Sequence, residues 1–143
     1  MCSSDLPLQV RLDDLLEWMK EMQRNTPLYA ATGGVHAAGL KDVATGDLIV
    51  REDIGRHNAL DKAIGAALRA GWDFRRVVAL SSGRISYEAA TKLGRAQIAV
   101  AASLTAATDQ AVRLASHLGL DLVGYARSPR HAVIYTRSGR VLQ

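Results

Sequence analysis

Three short polar stretches hold the residue types that could do chemistry in this chain. The first runs Arg51-Glu52-Asp53-Ile54-Gly55-Arg56-His57-Asn58 and continues as Ala59-Leu60-Asp61-Lys62. The second is Ser81-Ser82-Gly83-Arg84, and the third is Arg127-Ser128-Pro129-Arg130. They supply arginine forks, hydroxyls and a glycine. Guanidinium groups grip planar anions with two parallel bonds, and hydroxyls or backbone N–H groups complete the shell of a phosphate. Holding an anion, above all a phosphate, is the chemistry these types suit. On spacing alone, a helix cap with solvated ion pairs accounts for Arg51 to Lys62 equally well.

The histidines give less. His57 precedes a predicted helix and has Asp61 four residues on, a spacing that lets the two share a face and orient the imidazole. A plain contact in the cap region fits as well. His36 in a predicted strand can be a base, a metal ligand or a satisfied structural group. His117 sits in the last turn of a predicted helix, where the macrodipole explains it, and His131 starts a strand. A zinc site needs three or four ligands, yet Cys2 is the only cysteine and no Cys-x-x-Cys occurs. His36 is followed by Ala37-Ala38 and His57 by Asn58-Ala59, so the His-x-Glu of zinc deaminases is missing too. No metal is expected. There is no glycine–lysine–Ser/Thr phosphate loop and no Gly-x-Ser-x-Gly elbow around Ser82 or Ser86.

The elements that must position these stretches read as alternating strands and helices. Leu12 to about Arg24 has a stripe of Leu12, Leu15, Leu16 and Met19, with Asp13 and Asp14 in its first turn and Lys20 and Arg24 in its last. Pro27 stops it. After Gly33-Gly34, Val35 to about Lys41 and Leu48 to Arg51 form a hairpin around Thr45-Gly46. A helix then carries Leu60, Ala63, Ile64, Ala67 and Leu68 on one face and ends near Gly71. Strands follow at Val77–Leu80, Ile98–Ala101, Leu122–Tyr125 and His131–Thr136, separated by helices at Tyr87–Ala96 and Ala106–Leu118. Ser86 and Thr105 are the expected N-caps of those helices, and Gly119 the terminator of the second.

Strand–helix alternation implies parallel strands with right-handed crossovers. Strands without polar alternation imply cover on both faces. The expected fold is therefore a single-domain three-layer α/β/α sandwich with a mixed sheet. In such sheets ligands bind beyond the carboxyl ends of the strands. Those ends carry Ser82, Gly83 and Arg84, then Ser103 and Thr105, then Arg127 to Arg130, beside two helix N-termini. Capping and turn chemistry explain the hydroxyls and Pro129, but not three arginines gathered on one edge.

Composition narrows the class. The 143 residues suit one domain, and 48% hydrophobic content with 22% charged is that of a globular core-forming chain. Aromatics are only 5%, so the core must be aliphatic and rich in alanine. A net charge of +4 favours an anionic ligand. No basic patch interleaved with aromatics points to nucleic acid, no apolar run reaches membrane-spanning length, and Met1-Cys2-Ser3-Ser4-Asp5 lacks the pattern of a signal peptide. A cytoplasmic setting is expected, with Cys2 reduced.

Thr32-Gly33-Gly34-Val35-His36-Ala37-Ala38, Arg51 through Lys62, Ser82-Gly83-Arg84-Ile85-Ser86-Tyr87-Glu88 and Val123-Gly124-Tyr125-Ala126-Arg127-Ser128-Pro129-Arg130, in this order, closely resemble the formate dehydrogenase accessory sulfurtransferase family, FdhD. The resemblance covers Leu12 to Thr136. It implies a cytidine-deaminase-like fold without the deaminase zinc. It also implies a dimeric, cytoplasmic protein that takes sulfur from a cysteine desulfurase to the molybdenum bis-pterin guanine dinucleotide cofactor of formate dehydrogenase. By the same resemblance, Tyr125, Ala126, Arg127, Ser128, Pro129 and Arg130 bind that cofactor. Ser82, Gly83 and Arg84, with Arg56 and His57 close by, complete the expected site. The family's carrier motif, a Cys-x-x-Cys upstream of the first helix, has no counterpart here. Cys2 is therefore given no persulfide role, and the chain is read as the family's C-terminal, cofactor-binding domain, inactive in sulfur transfer by itself. Two rivals stand beside this reading. One is a nucleotide-acting enzyme using His57, Asp61 and Glu52, and the other is a non-catalytic dimerising module.

Overall fold

The computed structural model describes residues 8–143, so Cys2 lies outside the described residues. Helix α1 (Leu12–Gln23) follows strand β1 (Val10–Arg11) and buries Leu15, Leu16, Met19 and Met22. Pro27 does more than end that helix. It opens a short second one, α2 (Pro27–Thr32), with proline at the helix start, where its missing N–H costs nothing. Sequence patterning missed α2 because it buries no residue and so shows no periodic stripe. It is held instead by Glu52, whose carboxylate accepts the backbone N–H groups of Leu28 and Tyr29 at 2.9 Å each. Gly33 closes it at φ +67°, a left-handed turn that glycine adopts without strain.

The hairpin forms as expected, with β2 (His36–Asp42) antiparallel to β3 (Leu48–Asp53) and His36 opposite Asp53. Helix α3 (Arg56–Arg69) is turned slightly from the expected stripe: Ala59, Leu60, Ala63 and Ala67 are buried, while Leu68 is 62% exposed. Alanine at the contact positions lets the helix lie close to the sheet, and Ala59 serves that contact better than Leu68.

Strand β4 (Val77–Ser81) and helix α4 (Tyr87–Arg95) match their predicted spans, and the Ser86 hydroxyl accepts the Ala89 N–H at 3.3 Å as an N-cap. The next two elements are displaced. Strand β5 covers Val100–Ser103 rather than Ile98–Ala101, because Gln97 takes φ +63° and Ile98 bonds back to the Leu93 carbonyl, spending those residues on the helix exit. Helix α5 covers Asp109–Leu118 and is capped by Thr108, which accepts the Ala111 N–H at 3.2 Å. Thr105 is not its cap. The backbone between them forms a bridge, Ile85 to Ala107, that delays the helix. Gly119 terminates α5 at φ +69° as expected.

Strand β6 is Asp121–Gly124, β7 is Val133–Ile134, and β8 is Val141–Leu142. The predicted His131–Thr136 strand shrinks to its middle, since His131 bonds back to Ser128 in a turn. The main sheet has the order β3-β2-β4-β5-β6-β7, with β4, β5 and β6 parallel and β2 antiparallel to both its neighbours. Strands β1 and β8 make a separate parallel pair.

Alternate residues face opposite layers. Val77 and Ala79 pack with Ala59, Ala63, Ala90 and Ala115 beneath α3, α4 and α5. Val78 and Leu80 pack with Leu15, Leu16 and Met19 of α1. Each large side chain so buried contributes about 1.5–3 kcal/mol relative to exposure. The architecture is the expected three-layer α/β/α sandwich with a mixed sheet.

Candidate functional site

The sheet register brings the polar stretches together. Ala38 near the start of β2 pairs with Ser81 at the end of β4, and Ser81 pairs with Ser103 at the end of β5. The hydroxyls at these ends lace the loops. Ser81 Oγ accepts the Gly83 N–H at 3.1 Å, and Ser103 Oγ donates to the Gly83 carbonyl at 2.6 Å while accepting the Thr105 N–H at 3.0 Å. The Thr105 carbonyl in turn accepts the Tyr125 N–H at 2.9 Å. Ser103 and Thr105 thus position the rim rather than face a ligand, and Ser81 joins that lacing.

Ser82 is different. Its hydroxyl accepts the Ala37 N–H at 2.9 Å and lies 3.2 Å from His36 Nδ1. A Cβ on Gly83 would stand 2.9 Å from Arg56 Cδ and 3.3 Å from His36 Nδ1. Arg56 therefore lies directly over a glycine, and any side chain at that position would have to displace it. His36, Ser82, Gly83 and Arg56 form one contiguous group.

Beside that group is a cleft of about 510 Å³, lined among others by Gly33, Gly34, His36, Ser82, Leu104 and Arg127. Arg127 is anchored through Nε to the Leu104 carbonyl at 3.1 Å, which fixes its guanidinium at the cleft. The chain reaches Arg127 through a sharp reversal: Tyr125 takes φ +50°, and the Arg127 N–H closes on the Tyr125 carbonyl at 2.7 Å. Gly124 permits the reversal, since a Cβ there would meet the Tyr135 ring at 2.5 Å.

On the other side of Arg56 is a small cavity of about 20 Å³, lined among others by Arg56, His57, Ser81 and Arg84. Arg56 Nε and His57 Nδ1 are buried and have no hydrogen-bond partner. Unpaired buried polar atoms cost roughly 1–3 kcal/mol each unless a ligand or water meets them.

The predicted residues thus divide. Ser82 and Arg127 line the cleft, Arg56, His57 and Arg84 line the small cavity, and Gly83, packed against Arg56 and His36, lines neither. Tyr125 is exposed at the strand exit, Ala126 is buried, and Ser128 Oγ pairs with His131 Nδ1 at 2.6 Å. Pro129 and Arg130 are exposed and line neither space. His57 does not pair with Asp61. Asp61 holds Lys92 at 2.7 Å, His57 Nε2 stands 3.7 Å from Glu88, and Glu52 caps α2. The three residues of the nucleotide-acting alternative therefore serve three separate contacts. The residues the sequence undervalued are His36 and Leu104, and the legible hint for the first was the Gly33-Gly34 pair just before it.

Electrostatics reinforce the junction between β3 and α3. Lys62 Nζ lies 2.6 Å from Asp53, whose carboxylate also accepts the Gly55 N–H. The Lys62 hydrogen bond, then that backbone bond, hold the Asp53 carboxyl down at about 2. Asp53 so braces the loop that presents Arg56. Among the described residues, no group of three His, Cys, Asp or Glu side chains is placed to hold a metal ion. Nor, among those residues, is any helix long and apolar enough to cross a membrane.

Fold and site together define an α/β/α domain with a polar cleft at its strand ends and the Arg127 guanidinium presented to it. The chain matches the FdhD/NarQ family over residues 2–142, and it belongs to that family. It is 42% identical over 134 residues to a sulfur carrier protein FdhD of Xanthomonas oryzae, covering 94% of this chain and 47% of that protein. A Wolinella succinogenes protein of the same name is 41% identical over 135 residues, covering 94% and 46%. The chain thus spans about half the length of these curated relatives. Among solved structures, the crystal structure of a protein assigned as a formate dehydrogenase accessory protein, from Desulfotalea psychrophila, superposes with a TM-score of 0.83 at 28% identity, covering 95% of this chain and 62% of that one.

Proposed function

We propose that this domain binds the molybdenum bis-pterin guanine dinucleotide cofactor of formate dehydrogenase as cargo, within a sulfur-carrier protein that serves its sulfuration. The observation that carries the reading is the anchored Arg127 guanidinium at a 510 Å³ cleft beyond the ends of the parallel strands. That volume lies within the 300–1,000 Å³ of small-molecule sites and suits one nucleotide end of the cargo. The close-packed Gly83 sets Arg56 beside His36 of the cleft wall, which adds positive charge next to the cleft. Arg127 and Ser82, with the charge of Arg56 nearby, would hold the phosphates; Tyr125 and Ala126 set the turn that presents Arg127, Ser128, Pro129 and Arg130 continue the chain beyond it, and Arg84 and His57 line the neighbouring small cavity. What the bound cofactor supplies is the metal centre that receives sulfur. This chain's residues bind and orient it.

By the same reading a cysteine desulfurase is the sulfur source, formate dehydrogenase the recipient, and the domain works as a cytoplasmic homodimer. The sequence carries Cys2 alone and no Cys-x-x-Cys, so binding and carriage are separable here. Calorimetry with GDP tests the first. Arg127→Ala should weaken binding about tenfold, against no change for Arg113→Ala on the exposed face of α5, and added salt should weaken it further. Equal effects of the two variants would reduce the site to diffuse charge. Complementation of a strain lacking the relative tests the second: neither this chain nor its Cys2→Ala variant should restore formate dehydrogenase. Rescue by the parent and loss in the variant would make Cys2 the carrier.

A further inference from the structure

The small cavity against the first turn of α3 shares no lining residue with the strand-end cleft. At about 20 Å³ it has room for one species the size of a water molecule or a monatomic anion. Leu60, Ile85, Ala89 and Leu93 give it carbon walls, and Arg56 and His57 bring the two buried polar atoms that bond to nothing in the protein. Arg84, also a lining residue, is solvent-exposed.

The donor set selects the occupant. Arg56 Nε–H can only donate. In the neutral tautomer that carries its proton on Nε2, the nitrogen 3.7 Å from Glu88, His57 Nδ1 is an acceptor. A species that accepts from Arg56 and donates to His57 satisfies both. Water does so, and so does hydrosulfide, whose sulfur accepts and whose S–H donates. In a protonated ring both nitrogens donate, and a sulfur anion without a proton satisfies them. Carbon walls raise the cost of a strongly hydrated ion, and the volume excludes phosphate. They favour a soft, weakly hydrated monoanion beside the Arg56 charge.

We propose that this cavity is a binding site for a terminal sulfur anion: hydrosulfide, or the outer sulfur of a persulfide. The choice of sulfur among monoanions rests on the sulfur-carrier reading above; the cavity, its charge and its unpaired atoms do not. Association is non-covalent, with no bond formed or broken.

The test is ¹⁵N-histidine NMR of the full chain titrated with sodium hydrosulfide at constant ionic strength, and separately with glutathione persulfide. The expected result is a saturable shift of His57 Nδ1. That shift should vanish in the cavity-filling variants Ala101→Val and Ala89→Val while their GDP affinity stays within about twofold of the parent. Response to hydrosulfide alone assigns the site to the free ion, and response to persulfide as well assigns it to a carrier's outer sulfur. Arg56→Gln, read by the His57 shift alone because Arg56 is also assigned to cofactor binding, is the further variant if overpacking unfolds either filled chain. Crystals soaked in sodium bromide give an independent readout, an anomalous peak beside Arg56 Nε. A water oxygen there in every condition, or a shift that survives in folded filled variants, overturns the proposal. GDP binding without a hydrosulfide shift would sink this site and leave the proposed function standing. The converse would do the opposite.

Discussion

The two ends of the sheet are both polar, but they use their polar groups in opposite ways. At the end away from the cleft, Asp121 is 1% exposed and fully engaged: it accepts the Ser138 N–H and hydroxyl at 2.8 and 2.7 Å and the Arg140 N–H at 3.1 Å. Asp42 there accepts the Ala44 and Thr45 N–H groups, and buried Lys41 donates to Glu21 and to the Gly46 carbonyl. At the cleft end, Arg56 Nε and His57 Nδ1 are buried and unpaired. Satisfied polar groups hold a fold together, whereas unsatisfied ones are kept for something that is not protein. The comparison teaches that burial of charge does not mark the site; missing partners do.

The largest effect should come from breaking the satisfied end. Asp121→Ala strands three donors of the C-terminal segment and should cost about 3 kcal/mol in denaturant unfolding, with GDP affinity unchanged in the fraction still folded. A loss of GDP affinity as large as that of Arg127→Ala would erase the distinction between the ends. Next is Gly83→Ala, whose new Cβ would stand 2.9 Å from Arg56 Cδ and push that side chain aside. Stability should fall by only about 1 kcal/mol, while the expected loss of GDP affinity is about tenfold by calorimetry. An unaltered affinity would remove Arg56 from the site.

Arg130→Ala sharpens the comparison within the third polar stretch. Arg130 lines neither the cleft nor the cavity, so its loss should weaken GDP binding less than twofold, well below Arg127→Ala. The smallest effect is one of pH. The Asp53 carboxyl is held at about 2 against an ordinary 3.8. A depressed carboxylate lends stability above its unfolded value and loses it as pH falls through the folded one. The contribution should therefore be complete above about pH 4 and fade between pH 3.8 and 2, and Asp53→Asn should abolish that slope in acid-unfolding curves. An identical slope in the variant would assign the acid sensitivity elsewhere.

Much of the fold was written in local patterns. The Leu15, Leu16 and Met19 stripe and the Ser86 cap each depend on neighbours within a turn, and both appear where the sequence puts them. The errors arise where two local solutions are equally good. Thr105 and Thr108 are both competent caps, and a bridge to Ile85 decides between them. Ile98 and Val100 both suit a strand, and the helix exit at Gln97 decides. α2 is set by a carboxylate from a distant strand, which no window around Pro27 contains. The site was legible as residue types at strand ends. Which of its hydroxyls are spent on lacing, and that Arg56 Nε is left unpaired, depends on the three-dimensional hydrogen-bond count alone.

The parallel pair of β1 and β8 has a bearing on how the chain assembles. Gln9 reaches the Gly139 carbonyl across 130 residues, and Val10 pairs with Val141. During synthesis the partner of Val10 leaves the ribosome after every other strand of the domain. The α1 layer is thus left without its final strap until then, and closing so long a loop against chain entropy places this contact late in folding. Until residue 141 has emerged, the nascent domain can close its main sheet yet stays unfastened on one side.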